Sequence, residues 1–330
     1  METKPKLAMY WAASCGGCEI ALVNIHEKIF DVMDSFDFMF CPCLMDTKYH
    51  DIEALADGSI AITFFNGALR TDENIHMARL LRQKSQLLIA FGSCAAEGCI
   101  PGLGNLSSRQ DLMDRIYRDS LTLDDHQGPL PATSTGVVEG NLTLPEFLPV
   151  VKTLGQVVAV DYSIPGCPPE SHQVWNCVNA VIQGHPLGAK GAILGGGRST
   201  VCAECVRTRT EKKIRTLYRT YEILPDAETC LLEQGLLCMG VVTRDGCGGL
   251  CPRVNMPCTG CYGPPEGVLD QGAKMISALG SMLDLEDAGE VNVDDYARRM
   301  DVLLEGIPDL AGTLYKYSLA GSILGGKRTP

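Results

Sequence analysis

Short apolar runs alternate with amphipathic stretches through the first half of the chain. Runs of five or six mostly apolar residues predict buried strands, and apolar positions three or four apart predict helices. The predicted strands are 7–12, 36–40, 59–65, 86–91 and 156–161, and the predicted helices are 19–30, 72–84 and 171–183. Strands that alternate with helices predict an α/β fold with a parallel sheet covered on both faces.

The pattern changes in the second half. His185-Pro186 and the glycine run 195–197 mark a boundary, and strand patterns are hard to find beyond it. Helical patterns return at 266–283 and 293–324, while the polar stretch 104–149 predicts a long surface connection. The sequence therefore predicts a parallel-sheet domain over 1–185 and an irregular domain with a helical tail over 186–330.

Composition narrows the class of protein. The 330 residues carry a net charge of −12 and are 45% hydrophobic, which fits a globular protein and excludes the basic surface of a nucleic-acid binder. No apolar run is long enough to span a membrane. Because no secretory leader precedes the first strand, we expect a cytoplasmic protein without membrane insertion.

Sixteen cysteines are the most unusual feature of the composition. High disulfide density belongs to small secreted chains, whereas thiols in a reducing compartment serve metals or redox chemistry. Metal binding is therefore favoured over disulfides.

Four of these cysteines follow predicted strands. Cys15 and Cys18 lie on the turn after the first strand, Cys94 follows the strand 86–91, and Cys167 follows the strand 156–161. The carboxyl ends of parallel strands meet at one edge of a sheet, where open α/β sheets bind their ligands. We therefore expect these four thiols to form one four-ligand site.

Eight further cysteines fall within about sixty residues of the second half. A 4Fe–4S cluster takes four thiolates, so the twelve cysteines with metal-like context match three such clusters. A zinc ribbon built from Cys202, Cys205, Cys258 and Cys261 is the alternative, and it would leave the other four of this region unused. The eight are Cys202, Cys205, Cys230, Cys238, Cys247, Cys251, Cys258 and Cys261.

Apart from the cysteines, the sequence offers few motifs for ligand binding or catalysis. The glycine run 195–197 has no following Lys-Ser/Thr pair, so it is not a phosphate-binding P-loop. No arrangement of residues typical of acid–base or nucleophilic catalysis is evident. Several clusters without a catalytic centre indicate electron transfer to or from a catalytic partner.

The motifs Cys15-x-x-Cys18, Gly92-x-Cys94-Ala95 and Pro165-Gly-Cys-Pro168 give the chain a resemblance to the small subunit of nickel–iron hydrogenases over essentially its whole length. The resemblance implies a flavodoxin-like N-terminal domain that holds a proximal 4Fe–4S cluster through Cys15, Cys18, Cys94 and Cys167. A related complex I subunit has adjacent cysteines at the first pair. The two intervening glycines here favour the hydrogenase.

The same resemblance implies ligands for two more 4Fe–4S clusters in the second half. The distal cluster would be held by Cys202, Cys205, Cys230 and Cys238, and the medial cluster by Cys247, Cys251, Cys258 and Cys261. Cys238 and Cys247 could exchange roles between the two sets.

The all-cysteine ligand sets resemble those of cytoplasmic hydrogenases that do not reduce F-420 and that serve heterodisulfide reductase. The implied partners are a nickel–iron large subunit, an iron–sulfur adaptor protein and a heterodisulfide reductase-like flavoprotein. F-420-reducing, sulfur-reducing and complex-I-like assemblies share most of these motifs and remain alternatives.

Some residues fall outside this scheme. Cys41 and Cys43 are expected to be ordinary buried thiols, and Cys177 is left without a ligand role. Cys99 is expected to be a small buried apolar residue. The alternative is that it lies close to the proximal cluster and alters its redox response, since oxygen-tolerant relatives carry an extra cysteine at this spacing. A basic stretch, expected to form a helix, is either a solvated face, a docking face for an acidic partner or compensation for anionic clusters. It contains Arg207, Arg209, Lys212, Lys213, Arg215 and Arg219.

Overall fold

The computed structural model describes residues 4–124, 128–210, 213–282, 284, 292–307 and 309–325. The chain divides into two compact units, one comprising 1–194 with 319–330 and the other comprising 195–318. These are called the sheet unit and the cysteine-rich unit below. The assignment of particular clusters to the two predicted domains stays a proposal.

The strands are short and lie in the sheet unit. They are β1 (Lys6–Trp11), β2 (Asp37–Phe40), β3 (Ile60–Asn66), β4 (Leu69–Thr71), β5 (Ser85–Phe91), β6 (Ser134–Val137), β7 (Gly140–Thr143), β8 (Phe147–Lys152) and β9 (Tyr162–Ile164).

Helices occur in both units. They are α1 (Gly17–Val23), α2 (Lys28–Ser35), α3 (Tyr49–Glu53), α4 (Asp72–Lys84), α5 (Ser93–Glu97), α6 (Cys99–Gly102), α7 (Arg109–Tyr117), α8 (Ser171–Ile182), α9 (Leu250–Arg253), α10 (Gln271–Met282), α11 (Val293–Glu305) and α12 (Leu310–Leu314), with 3₁₀ turns at Leu103–Leu106, Leu154–Gln156, Val201–Ala203 and Met239–Val242. Every helix of the described ranges is too short or too polar to cross a membrane.

Five strands form the central sheet in the order β2-β1-β3-β5-β9, and every pairing is parallel. In chain order this is the 2-1-3-4-5 arrangement of flavodoxin-like folds, so the predicted α/β class is confirmed. The arrangement brings the carboxyl ends of β1, β5 and β9 to the same edge.

Both faces of the sheet are covered by helices. Leu7 and Met9 of β1 belong to one core, shared with α1, α2 and α8, while Ala8 and Tyr10 belong to the other, shared with α4 and α5. Successive side chains of a strand point to opposite faces, which explains why the strands are almost continuously apolar.

Local sequence sets the helix limits. The predicted helix 72–84 is found as α4, with the Thr71 hydroxyl accepting a hydrogen bond from the Asn74 amide at 3.2 Å. The predicted helix 19–30 is wrong as a single element, because it breaks between α1 and α2. His26 there has a φ of 59°, a left-handed conformation that interrupts a right-handed helix.

The predicted strand 156–161 is also misplaced, since the observed strand is β9. Residues 154–156 form a 3₁₀ turn capped by the Thr153 side chain. Asp161 instead directs its carboxylate at Arg82 and Leu88. The polar stretch 104–149 is a mostly exposed connection, although it contains α7 and the hairpin of β6 and β7.

The cysteine-rich unit is irregular, as the sequence predicts. Its described residues contain no paired strands beyond isolated bridges such as Thr200–Arg244 and Tyr218–Leu236. Regular structure returns at α10, α11 and α12, as the pattern of its tail predicts.

Candidate metal centres

The first four predicted ligands sit on three loops at one edge of the central sheet. Cys18 lies in α1 just after β1, Cys94 lies in α5 just after β5, and Cys167 lies in the turn between β9 and α8. Cys18 and Cys94 are buried, Cys167 is half-buried and Cys15 is exposed.

Electrostatics shows that these thiols lie near one another. Burial raises the pKa of the Cys18 thiol strongly, and Cys94, Glu19, Cys167 and Cys15 raise it further. A buried thiol in this position stays protonated at neutral pH without a counter-charge. A metal centre would supply that charge and bind the sulfurs as thiolates.

Glycines make this gathering possible. A Cβ at Gly92 would lie 2.4 Å from Cys18 Sγ, and Gly92 has a φ of 81°. A Cβ at Gly17 would lie 3.4 Å from Cys15 Sγ. Gly92 is therefore a steric requirement of the site, whereas a Cβ at Gly17 would make only ordinary van der Waals contact with Cys15 Sγ.

The loop after β1 is anchored to β3. The Asn66 side-chain amide donates to both carboxylate oxygens of Glu19, at 2.7 and 2.8 Å, and to Ser14 Oγ at 2.9 Å. Asn66 is fully buried at the end of its strand. Glu19, in the first turn of α1, therefore fixes the orientation of the loop as well as favouring the helix N-terminus.

Cys99 lies beside the same site. It is fully buried, as predicted, and its thiol donates to Cys167 Sγ across 3.7 Å. This contact raises the pKa of Cys99 and lowers that of Cys167. The φ of Cys99 is 45°, in the left-handed region where glycine is the least strained residue.

The predicted distal set gathers in the cysteine-rich unit. Cys202, Cys205, Cys230 and Cys238 all line one small cavity. Burial raises the pKa of Cys202, with Cys230 and Cys205 adding to the effect. Burial likewise raises the pKa of Cys238 to about 11, and both Cys202 and Cys230 contribute.

The predicted medial set is partly gathered. Burial raises the pKa of Cys258, to which Cys238 and Cys261 add. The Cys258 amide also donates to Cys238 Sγ at 3.3 Å, so the two sets adjoin. Cys247 lies on a glycine-rich loop and Cys251 lies in α9. Their membership of this set stays a prediction.

Three cysteines lie apart from these groups. Cys41 is buried, as expected, and Cys177 is also buried, but Cys43 is exposed, so the expectation for it was wrong. Cys41 and Cys43 have their sulfurs 3.4 Å apart because a turn at Pro42 brings them together, with Leu44 N donating to Cys41 O at 2.9 Å.

A zinc site would require its four sulfur ligands to lie closer together than the ligands of an iron–sulfur cluster. Zinc holds its sulfurs at about 2.3 Å, so the ligands of one ion nearly touch. Among the residues that the structure describes, no three His, Cys, Asp or Glu side chains form such a group.

The predicted basic helix is not present. Described residues between 207 and 219 form bends and isolated bridges, while Lys212 lies outside the described residues. Arg209 and Arg219 are exposed, but Arg207 is buried against the cavity of the distal set. Sequence periodicity could not reveal this, because an irregular loop buries residues without a regular repeat.

Comparisons with known proteins identify the family of the chain. A family profile described as NADH ubiquinone oxidoreductase, 20 Kd subunit, matches residues 15–181. The iron–sulfur subunit of the F420-non-reducing hydrogenase of Archaeoglobus profundus is 39% identical over 98% of both chains. A subunit of the F420-non-reducing hydrogenase of Methanothermobacter thermautotrophicus is 35% identical over 98% of this chain and 97% of its own.

The chain belongs to the same family as these F420-non-reducing hydrogenase subunits. As a member of that family it is a hydrogenase subunit with an electron-transfer role, which implies a large-subunit partner. A solved [NiFeSe] hydrogenase from Desulfovibrio vulgaris Hildenborough shares the fold, with a TM-score of 0.50 and 16% identity over 81% of this chain and 96% of that chain.

Proposed function

We propose that this chain is the electron-transferring small subunit of a nickel–iron hydrogenase. It would take electrons from dihydrogen oxidation in the large subunit and pass them through three 4Fe–4S clusters. The acceptor would be an iron–sulfur adaptor protein and a heterodisulfide reductase-like flavoprotein, and the complex would work in the cytoplasm.

The observation that carries the proposal is the gathering of Cys15, Cys18, Cys94 and Cys167. They are far apart in sequence, yet parallel strands bring their loops to one sheet edge. Such a group needs a centre with four thiolate ligands. When bound, a 4Fe–4S cluster accepts and releases single electrons.

The chain itself positions and insulates that site. Gly92 leaves space for Cys18 Sγ, Asn66 holds the loop through Glu19, and Cys99 donates a hydrogen bond to Cys167. Hydrogen bonds to ligand sulfurs and exclusion of water are two means by which a protein sets a cluster's potential.

The distal and medial assignments rest on the cysteine-rich unit. Cys202, Cys205, Cys230 and Cys238 share a cavity, which supports placing Cys238 in the distal set. Full-length similarity to subunits of F420-non-reducing hydrogenases supports the choice of that type over the alternative assemblies.

The test is to purify the native complex without oxygen and measure iron, nickel and dihydrogen uptake. We expect about twelve iron atoms per chain, since each of three clusters contains four. Nickel should co-purify, and uptake should be fastest with the heterodisulfide reductase-like flavoprotein as acceptor.

Other results would revise the proposal at different levels. Zinc with little iron would replace the clusters with a structural scaffold. Iron without nickel would favour a complex-I-like assembly. Uptake that prefers F-420 or sulfur as acceptor would keep the hydrogenase and change its electron acceptor.

A further inference from the structure

Arg207 is a buried cation in the cysteine-rich unit. It is 6% exposed, although arginine is among the residues least often buried. It lines the same small cavity as Cys202, Cys205, Cys230 and Cys238. Its position therefore needs an explanation beyond packing.

The guanidinium is held by neutral acceptors. Nε donates to the carbonyl oxygen of Pro252 at 3.0 Å, and Nη1 donates to those of Asp226 and Thr229 at 2.7 and 2.9 Å. Nη2 donates to Oδ1 of Asn255. Thr229 directly precedes Cys230, and Pro252 directly follows Cys251.

No carboxylate of the described residues forms an ion pair with Arg207. The Asp226 carboxylate is turned toward backbone amides instead, accepting from Glu228 and Thr229 at 2.9 and 2.7 Å. A buried charge without an ionic partner is costly, so natural proteins pair such charges. The charge of Arg207 helps to lower the pKa of the exposed Asp226 carboxyl, but an anionic group in the cavity that Arg207 lines would be a partner shielded from water.

We propose that Arg207 supplies the counter-charge for an anionic cluster held by Cys202, Cys205, Cys230 and Cys238 and thereby raises its reduction potential. This inference rests on the proposed function. A 4Fe–4S core with four thiolates is negatively charged, and reduction adds one more negative charge. A buried cation stabilises the reduced form more than the oxidised form.

The role differs from ligation. Arg207 donates to carbonyls beside two predicted ligands and holds their loops in place. Its charge acts across the cavity with little screening, because water is largely excluded there. Arg209, which lines the same cavity and whose charge opposes the rise in the pKa of Cys202, is exposed to solvent, so its charge is screened more than that of Arg207.

The experiment is a potentiometric titration of the oxygen-free complex, followed by electron paramagnetic resonance. Cys202→Ser identifies the distal signal by its altered spectrum. Arg207→Gln should lower the potential of that signal, with roughly a tenfold shift of its oxidised-to-reduced ratio, or about 59 mV for one electron.

Arg207→Lys keeps the charge and should stay near the native potential. Arg219→Gln, at an exposed position, controls for net charge and should change little.

If Arg207 had a purely structural role, the two Arg207 variants would behave differently from this expectation. Lysine cannot reproduce the forked hydrogen bonds of arginine, so Arg207→Lys would then disturb the signal as much as Arg207→Gln. That result would overturn the inference. So would an unchanged potential in Arg207→Gln.

A second variant covers failure of Arg207→Gln to assemble. Asn255→Asp keeps an oxygen that accepts from Nη2 of Arg207 and adds a carboxylate whose negative charge balances that of the guanidinium. It should therefore also lower the reduction potential of the distal cluster. An unchanged potential in this variant overturns the inference.

Iron content distinguishes failure of the proposed cluster from failure of the proposed role of Arg207. Native protein with far fewer than the proposed twelve iron atoms, and no signal sensitive to Cys202→Ser, overturns the distal cluster and the Arg207 role together. Full iron content with an unshifted potential overturns only the role of Arg207.

Discussion

Single residues define how closely the thiols approach the backbone. Gly92 combines a φ of 81° with a position where any Cβ would lie 2.4 Å from Cys18 Sγ. Residue 92 must therefore adopt a positive φ, and it must also leave room for the thiol of Cys18, a predicted ligand on another loop. The cysteines are evident from the sequence, whereas the second role of the glycine is not.

Replacing Gly92 by alanine should displace Cys18 and prevent assembly of the proximal cluster. We expect the iron content of the oxygen-free protein to fall by about four atoms per chain, measured by metal analysis. Gly58→Ala is the matched control, since Gly58 has a φ of 68° and nothing within 4 Å of its ideal Cβ position. Both variants place alanine at a positive φ, which costs about 1–3 kcal/mol. Equal iron loss in the two variants would refute the steric explanation.

Between elements, one buried carboxylate ties β5, α4 and β9 together. Asp161 precedes β9 and accepts from Arg82 Nη1 at 2.5 Å, from Lys190 Nζ at 2.9 Å and from the Leu88 amide at 2.9 Å. Burial opposes its ionisation, but the hydrogen bonds from Arg82, Leu88 and Lys190 outweigh it and lower the pKa of Asp161.

Asp161→Asn should destabilise the sheet unit by about 3 kcal/mol at neutral pH, because Arg82 loses its charged partner. Trp11 and Trp175 are the only tryptophans of the chain and both lie in this unit, so their emission during urea unfolding measures the effect. Asp46→Asn, which removes an exposed pair with Lys48, should change little. A similar loss in both variants would contradict the special role of the buried pair.

The same pair gives a pH dependence of known sign. Since the folded-state pKa of Asp161 is lowered, its stabilisation is present above the unfolded-state pKa, about 3.9. It is lost as pH falls through the folded-state pKa. Urea unfolding measured across acidic pH should accordingly show that Asp161→Asn lacks this part of the acid destabilisation.

The two units of the chain differ in what holds them together. The sheet unit has two continuous apolar cores, one on each face of the sheet. The described part of the cysteine-rich unit also buries apolar side chains such as Leu231, Leu236 and Met275, but its regular structure consists of helices and isolated bridges. In such a region a cluster that connects four points of the chain can replace a core.

Removal of iron should therefore affect the units unequally. After chelation under anoxic conditions, we expect residues 195–318 to lose protection from hydrogen exchange, while the central strands of the sheet unit keep theirs. Simultaneous loss of protection in both units would show that the cysteine-rich unit does not depend on metal in this way.

Much of the fold can be predicted from the local pattern of apolar and polar residues. The strands β1, β3 and β5 and the helices α4 and α8 are predicted nearly to the residue, because apolar runs and capping residues act over short distances. The break between α1 and α2 and the start of β9 are not predicted. Both depend on backbone conformations and side-chain contacts that hydrophobic periodicity does not report.

By itself the sequence determined which cysteines are candidate ligands, since their positions at strand ends and their short spacings are read directly from it. It also determined the parallel sheet, through alternating strand and helix patterns. The folded arrangement decided what surrounds those cysteines: Gly92 against Cys18, Cys99 against Cys167, and Arg207 beneath the distal set. These neighbours are distant in sequence, and which of them meet is fixed by how loops pack.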